Sequence, residues 1–579
     1  MRPPPLHALI DFASPQSGIA PLRAAFGAPC RVLVAHSVAE VRAVLDAAEA
    51  EAQAGRWCVG WLRYEAAAAF DSAFETHPAD GPLAWFGVHE RALPLPAAEP
   101  GDALAEWHGR PARPAFDAAI AEIHRAIADG ELYQVNLTAP LQGRLREGSA
   151  RALFDALRRA QPQALAAYID SGAEQVLSVS PELFFDWRHG LVQSQPMKGT
   201  APRGATPEAD AAQAEALRAS PKERAENLMI VDLIRNDLSR IARPFTVQVP
   251  RLFDCQAWPT VWQMVSVVQA RPRAGTTLAD LFAALFPCGS VTGAPKVQAM
   301  RLIRRLEPGP RGVYCGAVGV LQPGGAATFN VPIRTLQLRG DALRCGIGSG
   351  ITADAQAEGE WQEWRTKRGF VERASAPFEL LETMRLQDGQ LHERALHLAR
   401  LARAAAHFGF QHDGAVVVAT LDRLAAAHPN GTWRVRLLLD ARGRATAEAH
   451  AHAATTGTPR VQLAPRPLAE ADGEFVRFKT TRRAHYEALA PTDPTVFDTL
   501  LWNARGEITE FTRGNAALKL GGRWVTPPLA CGLLGGVGRA AALRDGRLVE
   551  AVVRVDQLPQ VEAMAFVNSL RGWIEVVLG

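Results

Sequence analysis

The sequence predicts an α+β protein with large sheets and more than one domain. Apolar, β-rich runs such as VLSVSPELFFDW and GVYCGAVGVL are mixed with helical periodicity, without the regular alternation of βαβ units. The 579 residues are too many for one hydrophobic core. Near 371–377 a helical pattern ends, and FELLETMRLQDGQL then reads as strand, turn and strand. These changes predict a domain boundary at about residue 374.

The first predicted domain, residues 1–373, has an N-terminal region (1–110) and a core (111–373). A helix is predicted at FDAAIAEIHRAIADG, because its apolar residues recur with helical spacing, and another long helix near 208–242. The second domain, residues 374–579, continues with a helix at ERALHLARLARAAAHFGF and further mixed elements.

The composition excludes several classes of protein. Apolar residues make up 48% and charged residues 21%, which is ordinary for a soluble globular protein. The balance of 63 basic and 60 acidic residues provides no electrostatic footprint for nucleic acid. Seven cysteines without a CxxC pair indicate neither a zinc site nor a disulfide framework. With no apolar core of a signal peptide and no run of about 18 apolar residues, we expect a cytoplasmic protein.

One lysine occurs in a proline- and glycine-rich turn, QPMKGTAPR. Pro196 and Pro202 stiffen the flanks of Lys198, and Gly199 permits a bend or a close approach to a ligand. Lysines in such turns are usually solvated surface charges, so this stretch alone favours a surface role.

Two acid pairs have the same helical spacing. Glu223 and Glu226 share one face of a predicted helix, and Glu360 and Glu363 repeat the pattern. Two helices that each offer such a pair are suited to a hard divalent cation such as Mg²⁺. The alternative is a helix surface with Glu–Lys pairing, for example between Glu363 and Lys367.

Glycine-rich turns and an arginine indicate an anionic small-molecule ligand. FPCGSVTGAPK (286–296) and RCGIGSGIT (344–352) offer unhindered backbone N–H groups. Arg334 in VPIRTLQL adds a planar fork for a carboxylate.

Taken in order, PMKGTAPR, ERAENLMIVDLIRNDLSRIA, FPCGSVTGAPKVQAM, YCGAVGV, VPIRTLQL and GSGITADAQAEGEWQE resemble the chorismate-utilising enzymes. The resemblance covers roughly residues 110–370. WLRYEAAAAFDSAF, further upstream, resembles the N-terminal region of the aminodeoxychorismate synthase branch of that family. The implied fold is a two-sheet α/β sandwich with helices outside, and the implied substrate is chorismate.

The resemblance implies a chemical role for Lys198. Anthranilate synthases carry a small residue at this position, whereas aminodeoxychorismate synthases carry lysine. Lys198 would add to carbon 2 of chorismate and displace the hydroxyl at carbon 4, after which ammonia would attack carbon 4 and expel the lysine. Because only a neutral amine attacks, this role requires a desolvated position.

The resemblance also implies the other site residues of the first domain. They comprise metal ligands, carboxylate-binding groups, pocket-lining groups and a proton donor: Glu226 and Glu363 backed by Glu223 and Glu360 for Mg²⁺; Arg334, Gly348, Ser349 and Gly350 for a carboxylate; Tyr314 and Thr292 for the pocket; Lys296 as acid for the leaving hydroxyl.

Two positions depart from the family pattern. Gln263 stands where anthranilate synthases have histidine, which disfavours that branch. Trp364 replaces a threonine that is usual after the second acid pair, and the sequence assigns it no consequence. No cysteine-containing turn resembles a glutaminase nucleophile turn. We therefore expect ammonia from a separate glutamine amidotransferase subunit or from free ammonium.

The second domain contains its own lysine, acid and glycine turn. In RFKTTRRAHYE, Lys479 follows a short strand; Glu510 lies at a strand end, and CGLLGGVGR offers backbone N–H groups to an anion. Taken alone, Lys479 reads equally as a surface base and Glu510 as a strand-edge charge.

In the order Arg400, Lys479, Glu510, LLGGVGR and Asn568, this domain resembles the class IV pyridoxal-phosphate enzymes over about 375–579. The resemblance implies a Schiff base at Lys479 and a partner for the pyridinium nitrogen at Glu510. Arg400 would bind the phosphate, helped by backbone amides around Gly536 and Val537. His397 lies on the same helical face as Arg400.

Fusion of the two domains favours a lyase reaction for the second. It would take the first domain's product, 4-amino-4-deoxychorismate, and release pyruvate and 4-aminobenzoate, a folate precursor. Three alternatives stay open: an anthranilate synthase-like first domain, a general transaminase second domain, and a second domain that is only a non-catalytic interaction module.

By analogy with class IV enzymes, we expect a homodimer through the C-terminal half. The sequence does not address feedback inhibition, intermediate channelling or the docking surface for the glutaminase.

Overall fold

The computed structural model describes residues 6–14, 20–99, 101–109, 112–204, 207–258, 261–471 and 473–579. The chain divides into two compact units, Met1–Pro377 (unit 1) and Phe378–Gly579 (unit 2). Within the described ranges, no helix combines the length and apolar character that crossing a membrane requires.

Unit 1 contains both strands and helices. Its strands are β1 Ala8–Phe12, β2 Leu22–Phe26, β3 Arg31–Ala35, β4 Trp57–Leu62, β5 Ala84–His89, β6 Leu104–His108, β7 Gln134–Glu147, β8 Leu165–Asp170, β9 Gln175–Ser180, β10 Leu183–Arg188, β11 Leu191–Gln195, β12 Met197–Pro202, β13 Gln248–Ala257, β14 Val261–Ala270, β15 Gly293–Ala294, β16 Ala317–Leu321, β17 Ala327–Asn330, β18 Thr335–Arg339 and β19 Ala342–Ile351. Its α-helices are α1 Val38–Gln53, α2 Arg113–Ala128, α3 Ala150–Ala160, α4 Pro207–Ala219, α5 Pro221–Ser239, α6 Leu278–Leu285, α7 Lys296–Leu306 and α8 Ala357–Ala374.

The strands of unit 1 form two antiparallel sheets. One runs β15-β7-β19-β18-β9-β8-β1-β2, with β6 beside β7, and the other runs β12-β14-β11-β10-β17-β16-β4-β5-β3, with β13 beside β14. Ile10 and Ala167 of the first sheet share a buried cluster with Trp61 and Val318 of the second. Packing of the two inner faces in this way makes a sandwich, which confirms the predicted fold.

Helices pack in two further buried clusters of unit 1. Helices α2, α3, α7 and α8 pack with residues of the first sheet, and α1, α5 and α6 pack with residues of the second. The acid-bearing helices α5 and α8 therefore belong to different clusters.

The single long helix predicted near 208–242 is in fact two helices, α4 and α5. Ser220 separates them: its backbone is extended, and its hydroxyl accepts a hydrogen bond from the Glu223 N–H at 3.4 Å. Pro221 follows at the first helical position, where a missing N–H leaves no bond unmade. This break fixes where α5 begins and therefore how its acids face.

Unit 2 mixes the two kinds of element again. Its strands are β20 Leu380–Gln387, β21 Gln390–Leu391, β22 Thr432–Leu439, β23 Ala445–Ala451, β24 Arg460–Leu463, β25 Asp498–Trp502, β26 Ile508–Phe511, β27 Asn515–Leu520, β28 Arg523–Thr526, β29 Val549–Glu550, β30 Ala563–Asn568 and β31 Gly572–Leu578. Its α-helices are α9 Arg394–Phe408, α10 Gly414–Ala427, α11 Glu474–Arg477, α12 Ala484–Glu487 and α13 Val537–Arg544.

One sheet of unit 2 runs β21-β20-β22-β23 and the other runs β26-β25-β24-β31-β30-β27-β28-β29, where β26 also pairs with β27. The segment that carries Lys479 is held against β20, because the Leu381 N–H donates to the Lys479 carbonyl at 3.0 Å.

Candidate active sites

The Lys198 ammonium lies beside the glycine-rich strand β19. A Cβ atom built on Gly350 would lie 2.8 Å from Nζ of Lys198 and 2.5 Å from Nε2 of Gln134. Any side chain at position 350 would therefore displace one of these two groups. Neither amide atom of the buried Gln134 side chain has a hydrogen-bond partner among the described residues. The sequence analysis did not single out Gln134.

Gln263 on β14 holds the irregular part of strand β12 that presents the lysine, so Lys198 lies in a strand and not in the predicted turn. Its Oε1 accepts a hydrogen bond from the Thr200 hydroxyl at 3.0 Å, and its Nε2 donates to the Gly199 carbonyl at 2.7 Å. Gly199 has a left-handed φ of 85°, which few other residues adopt. Gln263, which stands where anthranilate synthases have histidine, thus has a structural role.

The four predicted acids form a repelling group on α5 and α8. Burial raises the pKa of Glu223, and the nearby Glu226 raises it further. Burial likewise raises the pKa of Glu360, and repulsion from Glu363 contributes. Lys367 Nζ lies 2.6 Å from Glu363, so the pairing weighed as an alternative is present. Both side chains of this pair are partly exposed, and such pairs contribute little to stability.

The acid group fits Mg²⁺ by its donor chemistry. Carboxylate oxygens are the ligands that Mg²⁺ prefers, and it commonly uses only one or two of them together with water and substrate. No three His, Cys, Asp or Glu side chains within the described ranges gather into a ready cluster. A site with two protein carboxylates remains compatible with that arrangement.

Glu182, at the start of β10, is a further candidate that sequence reasoning missed. It is buried, and its Oε1 has no hydrogen-bond partner in the described part of the chain. Burial raises its pKa to about 7, against the opposing effects of Ser290, Lys198 and Lys367. A carboxyl that titrates near neutral pH next to a lysine is suited to proton transfer. The acid at the start of the apolar strand LFF was the available signal.

Lys296, the predicted proton donor, is held in an ion pair. Its Nζ lies 2.9 Å from Asp237 and donates to the Leu285 carbonyl at 3.2 Å. Both side chains of this pair are nearly inaccessible to solvent. The contacts give Lys296 a structural role at the start of α7.

Arg334 has an unusual backbone, and its side chain is already engaged. Its φ is 50°, a left-handed conformation that costs energy for a residue with a Cβ. The guanidinium donates to Oε1 of Gln161, and burial, then repulsion from Arg373, lowers its pKa to about 10. Binding a carboxylate would relieve that electrostatic cost.

The other predicted pocket residues of unit 1 are buried. The Thr292 hydroxyl donates to the Cys288 carbonyl at 3.0 Å, so it serves the local turn. A Cβ atom on Gly346 would lie 2.2 Å from the Tyr314 ring, so the two pack closely. Ser349 donates its hydroxyl to Glu360 at 2.5 Å, and the Gly348 carbonyl accepts from Lys367 at 3.0 Å.

In unit 2, Lys479 and Glu510 are near enough to shift each other's titration. Burial of its ammonium lowers the pKa of Lys479 to about 7, and Arg483 and Arg400 add repulsion. Burial raises the pKa of Glu510 to about 7. Tyr486, which the sequence analysis did not assign, donates its hydroxyl to Glu510 at 2.6 Å. Burial thus brings the pKa of both groups towards neutral pH, as is common at functional sites.

Arg400 is oriented by the buried Glu382, which the sequence patterns also did not reveal. Oε1 of Glu382 accepts from Arg400 Nε at 2.8 Å, and Oε2 accepts from Nη2 at 2.6 Å. His397 Nδ1 lies 2.6 Å from the same carboxylate, and Nη1 of Arg400 donates to the Gly535 carbonyl at 3.2 Å. Although burial alone would raise the pKa of Glu382, Arg400 lowers it to about 2. A charged clamp therefore aims the arginine at the glycine turn.

The glycine turn of unit 2 fits a phosphate. Gly536 caps the N-terminus of α13, which begins at Val537. A Cβ atom on Gly536 would lie 1.8 Å from Oδ1 of Asn515, and one on Gly538 would lie 2.6 Å from the Asn568 backbone. The bare backbone, the helix N-terminus and Arg400 together make a cradle for an anion. The site residues thus fit pyridoxal phosphate.

Fold and geometry together define a two-domain protein with one lysine-centred site in each unit. Residues 89–373 match the family model of the chorismate binding enzyme, and residues 379–578 match that of amino-transferase class IV. Unit 1 therefore contains a chorismate binding enzyme domain, and unit 2 contains a class IV aminotransferase domain. Both predicted family assignments are confirmed.

Known relatives resemble unit 1. The chain is 42% identical over 281 residues to aminodeoxychorismate synthase component 1 of Klebsiella aerogenes, covering 48% of this chain and 61% of the relative. It is 39% identical over 248 residues to anthranilate synthase component 1 of Methanothermobacter thermautotrophicus, covering 43% and 53%. The chain thus spans less than two thirds of either relative. The crystal structure of anthranilate synthase component I from Streptococcus pneumoniae superposes with a TM-score of 0.51 at 24% identity, covering 64% of this chain and 90% of that one, and shares the fold.

Proposed function

We propose that the chain is a bifunctional enzyme that makes 4-aminobenzoate. Unit 1 aminates chorismate to 4-amino-4-deoxychorismate, and unit 2 eliminates pyruvate from that product. The observation that carries the proposal is Lys198 held beside Gly350 and near enough to the buried Glu182 to affect the pKa of that carboxyl. The similarity to an aminodeoxychorismate synthase component adds support.

In unit 1, Lys198 acts as a nucleophile and Glu182 as a proton donor. Nζ of Lys198 bonds to carbon 2 of chorismate, the double bonds shift, and the carbon 4–oxygen bond breaks. Glu182 gives its proton to the departing hydroxyl, which leaves as water. Ammonia then bonds to carbon 4, the double bonds shift back, and Lys198 leaves carbon 2 as the neutral amine. The nitrogen added at carbon 4 loses one proton, which restores the proton of Glu182. The sum is chorismate plus ammonia giving 4-amino-4-deoxychorismate plus water.

The carboxylates of chorismate need positive partners. Glu226 and Glu363, with Glu223 and Glu360 behind them, would hold Mg²⁺, which would supply charge stabilisation to the ring carboxylate. The other carboxylate of chorismate would be bound by Arg334 and the backbone amides of 348–350. Tyr314 and Thr292 would line the pocket beside them. Buried guanidinium and amide donors bind such groups strongly because little water competes.

In unit 2, Lys479 moves the proton that starts the elimination. Bound pyridoxal phosphate would supply an electron sink to carbon 4 of the substrate. Lys479 takes the carbon 4 proton, the carbon 3–oxygen bond breaks, and the departing enol takes a proton to become pyruvate. Glu510 would face the ring nitrogen, while Arg400 and the backbone at Gly536 and Val537 would face the phosphate. The ring left behind is 4-aminobenzoate.

The ammonia would come from a partner glutamine amidotransferase subunit, or from free ammonium. The product would enter folate synthesis. Seven unpaired cysteines agree with a cytoplasmic location, since oxidising compartments favour disulfides. A homodimer through unit 2 remains our expectation by analogy.

The test is product analysis by chromatography and mass spectrometry. The purified chain receives chorismate, ammonium, Mg²⁺ and pyridoxal phosphate, with Lys198→Ala in parallel. We expect 4-aminobenzoate and pyruvate from the wild type and little of either from the variant. Formation of 2-aminobenzoate would instead indicate the anthranilate reaction, which the similarity to an anthranilate synthase component makes the second candidate.

Accumulation of 4-amino-4-deoxychorismate by the wild type would support the amination proposed for unit 1 and would contradict the elimination proposed for unit 2. Amino-group transfer from an amino acid to a 2-oxo acid would then identify unit 2 as a general transaminase. A unit that binds no pyridoxal phosphate at all would be an interaction module.

A further inference from the structure

Trp364 has no part in the proposed reaction, yet it is built into the acid group. It lies on α8, and its buried ring meets Phe116 of α2 edge-on, with ring centroids 4.9 Å apart. Its indole Nε1–H donates to Oγ of Ser349 at 2.9 Å. Ser349 donates in turn to Oε2 of Glu360 at 2.5 Å. Three buried side chains thus form one chain of hydrogen bonds that ends on a carboxylate.

The direction of this chain of bonds follows from the chemistry of its first member. An indole N–H only donates, so the Ser349 oxygen has to accept from Trp364. The single hydroxyl proton of Ser349 is then directed to Glu360. A threonine at position 364 would bring a hydroxyl that both donates and accepts, and it would impose no such direction. Successive bonds of this kind also strengthen one another in a buried setting.

The carboxylate of Glu360 is subject to opposing electrostatic forces, which the hydrogen bond from Ser349 counters by fixing one of its oxygens. Glu363 on the same helix repels it, whereas Lys367 and Lys222 attract it. A carboxylate on a flexible glutamate side chain would follow whichever charge moved. The bond from Ser349 occupies Oε2 and leaves Oε1 available.

We propose that Trp364 is a positioning residue that acts through Ser349 to hold Glu360 ready for a divalent cation. The inference rests on the proposed function, since it presumes the metal held by the acids of α5 and α8. Outer partners that orient a metal-binding carboxylate typically change metal affinity by about 10- to 100-fold. Trp364 would therefore set the cation requirement of unit 1 without touching substrate.

The experiment measures Mn²⁺ binding to the full-length chain by electron paramagnetic resonance of the free ion. Trp364→Phe removes the N–H donor and keeps an aromatic ring on Phe116. Ser349→Ala breaks the same relay without changing that packing. The matched control is Trp361→Phe, because Trp361 also packs on Phe116, at 5.1 Å, and the bonds described here do not include it. Thermal unfolding verifies that each variant is folded.

We expect Trp364→Phe and Ser349→Ala each to weaken Mn²⁺ binding about 10-fold. The double variant should lose little more than either single variant, since both break one relay. Trp361→Phe should stay within about 2-fold. In chorismate consumption, Trp364→Phe should need about 10-fold more Mg²⁺ and recover nearly its full kcat at saturation.

Unchanged Mn²⁺ affinity in folded Trp364→Phe would overturn the inference, and so would an equal loss in Trp361→Phe. A wild type that binds no Mn²⁺ would overturn it as well. The proposed function fails separately: a wild type that gives the expected order of Mn²⁺ affinities but makes 2-aminobenzoate would keep the relay and refute only the assigned amination.

Discussion

The two lysine sites differ in the charges near the amine. Burial is the main cause of the lowered pKa of Lys479 in unit 2, and Arg483 and Arg400 add repulsion, which Glu382 and Glu510 oppose. Lys198 in unit 1 instead acts on the titration of acids, among them Glu182 and Glu363. Unit 2 thus contains its own charge balance for an anionic cofactor. In unit 1, a bound cation would offset the negative charge of the acids near Lys198.

This contrast divides the expected requirements of the two reactions. Amination should depend on an added cation, whereas elimination should depend on the phosphate cradle and on Lys479 alone. Each prediction below changes one of the two sites and uses the other as an internal reference within the same chain.

Lys479→Ala should produce the largest effect. Without the amine, the elimination loses both its proton acceptor and the anchor of the cofactor, and general base catalysis alone supplies about 10² to 10⁴ in rate. We expect at least about a 10³-fold loss in 4-aminobenzoate formation from supplied 4-amino-4-deoxychorismate. Amination by unit 1 should continue, so the intermediate should accumulate from chorismate.

The matched control is Lys519→Ala, because Lys519 also lies in unit 2 but is only half-buried and loosely paired with Glu562, at 3.7 Å. Wild-type elimination rates in Lys479→Ala would show that unit 2 does not use this lysine.

The capture of pyridoxal phosphate by the wild type should depend on pH. Because the pKa of Lys479 is lowered to about 7, its amine is neutral above that pH, so cofactor capture should accelerate as pH rises through about 7. Stopped-flow absorbance of the apo chain mixed with pyridoxal phosphate measures this.

The fold and the outline of both sites were predictable from sequence, because they depend on local patterns. Apolar patterns indicate the mixed strands and helices, the motifs of residues 110–370 carry the resemblance that implies a sandwich, and Lys479 and Glu510 stand in a recognisable order. Glu182 and Gln134 escaped notice for a physical reason. Their significance lies in buried atoms that have no hydrogen-bond partner in the described structure, namely Oε1 of Glu182 and both amide atoms of Gln134, and that depends on distant segments. The break at Ser220, by contrast, has a local signal, because a serine followed by proline and then by glutamate at the third position is typical of a helix start.

Removal of divalent cations should give the next largest effect, confined to unit 1. Metal ions supply several kcal/mol of charge stabilisation, so chelation should slow amination by at least about 10²-fold. Elimination from supplied 4-amino-4-deoxychorismate should change less than 2-fold, which is the internal control. Amination that survives chelation would mean that the lysines near the acids, such as Lys367, already offset their charge. Parallel rate assays with and without added Mg²⁺ decide between these outcomes.

Glu182→Gln should slow amination by about 10²-fold, because glutamine keeps the shape but carries no transferable proton. The wild type should also lose amination rate as pH rises above about 7, where Glu182 gives up its proton. That decline should vanish in the variant. The control is Glu90→Gln, an exposed acid of unit 1. A variant with unchanged rate and unchanged pH profile would exclude Glu182 as the donor and return attention to Lys296.

Gln263→Leu should have the smallest effect. It tests whether the hydrogen bonds between this side chain and β12 matter for amination by unit 1, with elimination by unit 2 as the reference. Leucine removes the acceptor for Thr200 and the donor for the Gly199 carbonyl, and each lost bond of this kind costs about 1 kcal/mol. Since this part of β12 orients Lys198 and Gln263 does not touch chorismate, amination should fall by about 5- to 10-fold and elimination by unit 2 should not change. Gln263→Glu retains the acceptor and should recover the part of the rate that depends on Thr200. Equal activity of the leucine variant and the wild type would show that β12 holds Lys198 in place through its strand pairing with β14 alone.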